Sequence, residues 1–272
     1  MKRTIRNIVL LLAVFAFSAF NTSQVETFQV GNVKFPKVAN KAFKPGEYLQ
    51  YRLHYGFIDA GIAELTVEKM DKKINGREIY HMVGKGKSKG TFDWFFKVRD
   101  RYETYVDAEG LFPWMFVRRV DEGGYKFSQD YVFYQHKQKV KTQDNKEFDV
   151  PLGVQDMLSA FYYARNMDFC KAKKGDVFTI TTFVDDEVWP LKIRYAGKDV
   201  IKVNGKKYKA LKFHPVIQAG RIFKDEDDLN VWISDDNNKV PLLAEAKILV
   251  GSIKMELEEY SGLASPIAEI KK

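Results

Sequence analysis

The residues best suited to chemistry are aromatic rings standing close to arginines. Trp94, Phe95 and Phe96 precede Arg99 and Arg101, and Trp114 precedes Arg118. Ring faces offer apolar contact, and a guanidinium offers a fork of donors that fits carboxylates and phosphates. Together they suit an amphiphile with an anionic head, its tail against the rings and its head on the guanidinium. The plain alternative for most of these rings is core packing, since Phe, Tyr and Trp make up 14% of the chain and a core needs many of them.

Other motifs read more blandly. Gly86-Lys87-Ser88 completes the last three positions of a phosphate-binding loop, but His81 stands where its first glycine belongs. The stretch reads as a strand, without the helix N-terminus that such a loop needs behind it. His54, His81, His136 and His214 are scattered, with no close metal-ligand spacing. Asp225-Glu226-Asp227-Asp228 and Asp235-Asp236-Asn237-Asn238 are oxygen-rich, yet lack the glycine and terminal glutamate of a calcium loop. They read as solvated turns. No metal or other cofactor is expected. Cys170 is the sole cysteine, so no intramolecular disulfide can form. No G-x-S-x-G elbow occurs, and Cys170 lacks a local protease signature. These absences lean against an enzyme. A pair of carboxylates across a cleft is defined by distance and not by spacing, so a hydrolase of envelope polymers stays open as an alternative.

The elements that must position these residues are mostly strands. In residues 46–69, Tyr51, Leu53, Tyr55 and Phe57 share one face, opposed by Gln50, Arg52 and His54. The alternation restarts after Gly61 with Ala63, Leu65 and Val67. Period two predicts two half-buried strands, with a bend or bulge at the intervening glycines. Asn75-Gly76 and Asn204-Gly205 are hairpin turns, because both central positions need positive φ. Further strands are expected over residues 79–87, 97–107, 114–121, 125–135, 176–185, 187–195, 207–213, 228–234 and 240–249, and around Ile253, Met255 and Leu257. Residues 91–96 are too short and irregular for an amphipathic helix, and residues 140–149 read as a loop or short strand. One helix is expected, over residues 154–166, with Val154, Met157, Leu158, Phe161 and Arg165 on one face. The tail from Ser261 is expected to fray.

The expected fold is mainly β. It is a large curved antiparallel sheet or barrel-like fold of roughly a dozen strands, with one main helix packed on it. Residues 45–260 form one β-rich domain, or two β lobes either side of the helix, and residues 261–272 a tail. Residues 1–20 read as a cleavable signal peptide: Lys2, Arg3 and Arg6, then an apolar run over residues 8–17, then small residues at Ala16 and Ser18. The run is shorter than the roughly 20 residues of a membrane span. The formal net charge is +8, and removing this leader leaves about +5. That suits weak attraction to anionic lipid or polysaccharide and does not demand nucleic acid.

Four stretches carry a family resemblance: GEYLQYRLHYGFIDAG, FKVRDRYETYVD, QDMLSAFYYARN and VWISDDNNKVPLLAEAKILVGSIKMEL. They resemble an exported bacterial family known as domain of unknown function thirty-one-oh-eight (DUF3108). The resemblance spans residues 45–260 and implies a β-rich, single-domain, periplasmic or secreted protein. It implies no reaction, cofactor or catalytic residue. The expectation is a non-enzymatic cell-envelope protein that binds an amphipathic or glycan ligand within its curved sheet, with Trp94, Phe95, Phe96, Arg99, Arg101, Trp114 and Arg118 as ligand-binding residues. An interaction module of an envelope export assembly, with a protein partner, is the other binding alternative.

Overall fold

The computed structural model describes residues 33–216, 228–247 and 251–271. The expected signal peptide and Asp225 to Asp227 lie outside these. Fourteen strands form one antiparallel sheet: β1 (Tyr48–Tyr55), β2 (Ile58–Lys69), β3 (Ile79–Ser88), β4 (Arg99–Asp107), β5 (Pro113–Glu122), β6 (Tyr125–Tyr134), β7 (Lys139–Thr142), β8 (Glu147–Asp149), β9 (Val177–Val184), β10 (Glu187–Val203), β11 (Lys206–Val216), β12 (Leu229–Ser234), β13 (Pro241–Lys247) and β14 (Ser252–Ser261). Two helices interrupt them, α1 (Gly90–Phe95) and α2 (Met157–Ala164). The spatial order runs β8 to β1 and then β14 to β9. The first and last strands therefore pair at the centre, and β8 and β9 are the two edges.

The first hairpin forms as its alternation predicts, with Leu49, Tyr51, Leu53, Ala63 and Val67 buried. Leu53 pairs with Gly61 and His54 with Asp59, so Ala60 is the extra residue of a bulge. Gly61 is needed there, because a Cβ would lie 2.5 Å from the Lys87 carbonyl oxygen. The alternation does not carry through to Phe57. β1 ends at Tyr55, Gly56 turns the chain at φ +55°, and Phe57 stands at the hairpin tip. Both Asn-Gly pairs adopt the expected positive φ, Asn75 and Gly76 at 53° and 75°, and Asn204 and Gly205 at 46° and 79°.

The predicted helix is real but shorter. Asp156 caps α2, accepting from the Leu158 and Ser159 amides at 2.8 Å each, while Ser159 Oγ accepts from the Asp156 amide at 2.9 Å. Gln155, just before the cap, is claimed by the sheet edge: its amide donates to Thr181 O at 3.0 Å, and the Phe183 amide donates to Gln155 O at 2.7 Å, while the Val154 amide closes a turn onto Pro151 O at 3.2 Å. Residues 140–149 provide β7 and β8, and residues 90–95 form the short helix α1 that the sequence reading did not expect. The tail does not fray. It runs beside β11, with the Lys209 amide donating to Ala268 O at 3.0 Å and the Ile270 amide to Lys207 O at 2.8 Å.

The sheet closes on itself through side chains. Phe183 of β9 packs edge-on to Tyr131 of β6, ring centroids 5.0 Å apart, and tilts against Phe148 of β8 at 5.4 Å. α2 contacts β9, β3 and β4, and so links the β9 edge to the other half of the sheet. At its C-terminus Arg165 is almost wholly buried. It binds both Glu47 carboxylate oxygens at 2.6 and 2.8 Å, Ala42 O at 3.0 Å and Asn238 O at 2.9 Å. One guanidinium thus joins the entry to β1, the end of α2 and the β12–β13 turn. Removing one partner of a buried pair leaves an uncompensated charge, which costs about 3–5 kcal/mol. Arg165→Met is expected to lower unfolding free energy in urea by about that amount, and adding Glu47→Leu to recover much of it. A single variant as stable as the wild type would refute the clamp.

Candidate functional site

The seven residues of the sequence reading fall in four places. Trp94, Phe95 and Phe96 lie on and just after α1, in the β3–β4 connection. Trp94 is 91% exposed and Phe95 67%, and no residue of α1 is buried. Phe96 turns inward, and its ring lies against Gly123, where a Cβ would approach it to 2.6 Å. Arg99 belongs to the same connection, but its guanidinium is already occupied. It donates to both oxygens of Asp93 at 2.6 and 3.0 Å, and to Val98 O at 2.6 Å. Arg99 and Ser88, which also donates to Asp93, hold that carboxyl down at about pKa 2.

Arg101 follows Arg99 along the same face of β4. It donates to Glu103 at 2.7 Å, and His81 lies 2.6 Å from the same carboxylate while stacking on Tyr105. Burial opposes the charge on Glu103, but the His81 and Arg101 hydrogen bonds outweigh it and hold the carboxyl at about 2. Trp114 sits at the opposite end of the strands from α1, buried against Phe112 and Phe35 at 5.2 and 5.6 Å. Arg118 is buried on the inner face. The structure therefore groups Trp94, Phe95, Phe96 and Arg99, leaves Arg101 beside them but bound to Glu103, and places Trp114 at the opposite end of the strands and Arg118 on the inner face.

Two residues outside the sequence reading belong with α1. Phe57 is 104% exposed and Ile58 56%, both at the β1–β2 tip. The Lys89 amide at the start of α1 donates to Ala60 O at 2.9 Å, so this tip and α1 are neighbours. Lys87, Lys89 and Lys97 are exposed around them. The signal for Phe57 and Ile58 was available in Gly56, which ends the strand and turns the next residues outward.

The inner face offers no comparable surface. Tyr51, Tyr102, Phe116, Tyr131, Phe133 and Phe183 are each no more than 2% exposed and fill it. The expected ligand groove within the curved sheet is thus occupied, among the described residues, by the protein's own rings. A cleft of about 440 Å³ lies at the tail, lined in part by Tyr260, Leu263, Pro266 and Ile267, and none of the seven residues lines it. Gly86 to Ser88 are in β3, as the strand reading had it. Asp236 accepts from Ser234 Oγ and from the amides of Asn238, Lys239 and Ala268 at 2.6 to 3.2 Å, so it fastens a turn and the tail.

One acidic pair does converge inside. Asp100 on β4 and Glu122 on β5 are 4% and 2% exposed and lie close enough for each carboxyl to feel the other's charge. Arg118 lies on the same face, donating to Asp185 at 2.8 Å and stacking over Tyr102 and Phe127. Asp185 and Asp186 form the β9–β10 turn, both at positive φ, and Tyr131 donates to Asp186 at 2.7 Å. Burial first, then the neighbouring Glu122 carboxyl, push the Asp100 carboxyl up to about 9, against the pull of the Asp121 amide and Arg118. The pair can hold a proton, but no described opening leads a substrate to it. Because the folded state keeps this proton while the unfolded chain releases it near pH 4, Asp100 withdraws stability as pH rises from about 4 towards 9. Asp100→Asn keeps the shape and the Asp121 contact without the charge. Its melting temperature is expected to exceed the wild type's at about pH 8, by ~2–4 °C per kcal/mol, and the excess to shrink steadily as pH falls to about 4. Parallel curves across that range would refute the assignment.

No curated protein matches the chain. Among solved structures, a beta-barrel-like protein of domain of unknown function DUF1849 from Brucella abortus is similar, with 12% identity, a TM-score of 0.53, and 82% of this chain and 99% of that chain covered. That likeness is one of fold. A DUF1089 family protein from Pseudomonas aeruginosa aligns at 9% identity with a TM-score of 0.31, covering 77% of this chain and 95% of that one. The sequence itself places the protein: the model of the protein family of unknown function DUF3108 matches residues 50–258, and the chain belongs to that family.

Proposed function

We propose that this is a non-enzymatic exported protein of the cell envelope that binds amphipathic molecules at the apex of its sheet, where the β1–β2 tip and α1 stand side by side. The carrying observation is that Trp94 and Phe95 project from a helix with no buried face. Short helices in water are held by packing; α1 is held instead by the Asp93, Arg99 and Ser88 network below it. The rings are thereby left without intramolecular contact over most of their surface. Each such side chain gains roughly 1.5–3 kcal/mol when removed from water. The residues after position 20 carry a modest positive charge, which favours anionic amphiphiles. Export rests on the signal-peptide pattern of residues 1–20, a cleavable leader to the periplasm or beyond.

The same exposure supports a second reading, an interaction module whose apex meets a protein of an envelope assembly. The two differ in what the rings touch. Of the four tryptophans Trp94 is the exposed one, Trp189 is half-buried, and Trp114 and Trp232 are buried. Titration with a monomeric lysophospholipid is expected to shift tryptophan emission to the blue, and Trp94→Ala to abolish the shift without changing the melting temperature. An unchanged emission, or an equal shift in the variant, would remove the amphiphile reading.

A further inference from the structure

The shape and charge of the apex narrow its partner, on the footing that it is the amphiphile-binding site. It is not a groove. Phe57 and Ile58 occupy one hairpin tip, and Trp94 and Phe95 the next connection along the sheet edge. Strands lie about 4.8 Å apart, so the two tips, two strands apart, project roughly 10 Å from one another. Among the described residues, nothing between them forms walls around a single ligand tail. Side chains standing almost wholly free on two separate tips are wedges, and wedges fit a soft, deformable medium.

The ionic surroundings select the sign of that medium. Each acid at the two tips has its own arginine: Asp59 is bound by Arg52 at 2.6 Å and Asp93 by Arg99 at 2.6 Å. Those charges cancel locally. Lys87, Lys89 and Lys97 are exposed and make no ion pair among the described residues. An apolar tip ringed by uncompensated ammonium groups matches a layer with an apolar interior and an anionic surface. Aromatic side chains favour that boundary, with ring in the acyl region and lysines at the headgroups.

We infer that the apex docks the protein on an anionic lipid bilayer face, with Phe57, Ile58, Trp94 and Phe95 inserted at the interface and Lys87, Lys89 and Lys97 on the headgroups. The long axes of the strands near the apex then stand towards the membrane, with the tail cleft at the far end. Binding is interfacial, and no helix among the described residues is long and apolar enough to cross a membrane.

Vesicle flotation of the leader-free chain tests this, with phosphatidylcholine vesicles with or without phosphatidylglycerol. The wild type is expected to float with the anionic vesicles, to stay behind with the neutral ones, and to lose binding as salt rises. Phe57→Ser should lower partitioning about tenfold. Lys87→Gln, Lys89→Gln and Lys97→Gln combined should lower it about a hundredfold, roughly fivefold for each lysine near the surface. All these side chains are exposed, so thermal unfolding checks that the variants fold as the wild type does. No flotation, with lysophospholipid still shifting Trp94 emission, overturns the bilayer docking and leaves amphiphile binding standing. Loss of both overturns both. Flotation untouched by these substitutions overturns the assigned surface. Self-association abolished by Phe57→Ser, in a protein that does not float, gives the apex to a second copy and overturns the inference.

Discussion

A sheet whose first and last strands pair at its centre must send its free edges away from each other and then bring them back. That constraint shapes this protein. The chain leaves the centre at β1, reaches one edge at β8, and starts its return from the other edge at β9. Curvature brings the two edges within side-chain reach, but β8 is three residues long and cannot zip against β9. The gap is closed by what lies between them in sequence. After a turn at Leu152 and Gly153, Gln155 pairs with β9, and α2 packs across β9, β4 and β3. The helix needs a fixed end, and Arg165 supplies it by reaching Glu47 at the start of β1. The outermost crossing is thus tied to the central strand by one buried ion pair.

Closure decides where function can sit. A curved sheet without this crossing would present an open concavity, and a ligand could enter it. Here the β9–β10 turn points Asp185 and Asp186 at Arg118 and Tyr131, and Phe183 fills the space beneath. The inner face is consumed by holding the edges together. The carboxyl pair of Asp100 and Glu122 belongs to this interior, where low polarity keeps a proton on and access is lost. What remains open to partners is the rim, and on the rim only the connections can carry large side chains freely.

Much of this was legible in residues. Strand alternation around Leu49 to Val67, the bulge before Gly61 and the Asn-Gly turns follow from period two and from which residues tolerate positive φ. The faces of β4 were also readable: Asp100, Tyr102, Thr104 and Val106 alternate against Arg99, Arg101, Glu103 and Tyr105. Sequence could not say which row turned inward, because each mixes charge with aromatic surface. The Asp100–Glu122 contact depends on cross-strand register 22 residues apart, which local patterns do not encode. Val154 fits the helical face by spacing, yet it closes a turn onto Pro151 and the sheet edge takes Gln155, since an edge with unpaired amides outbids one more helical turn. Trp94 and Phe95 illustrate the opposite failure. Their composition reads as core, and what exposes them is a polar anchor beneath, not anything in the rings themselves.

That anchor also gives the arginine beside the rings a structural duty. A fork of donors at the mouth of an aromatic site looks ready for an anionic head. Arg99 spends both its terminal nitrogens on Asp93, and Asp93 accepts from Ser88 as well. The ion pair is what fixes α1 on the end of the sheet, so its charge is internal to the platform. Charge available to a partner must then come from groups without a structural duty, and around this tip those are lysines on flexible stems. A flexible ammonium ring suits a surface of mobile headgroups better than a single fixed anion, which a forked guanidinium would hold in one orientation. The division of labour, arginine for building and lysine for meeting, follows from the same chemistry that lets the rings stand clear.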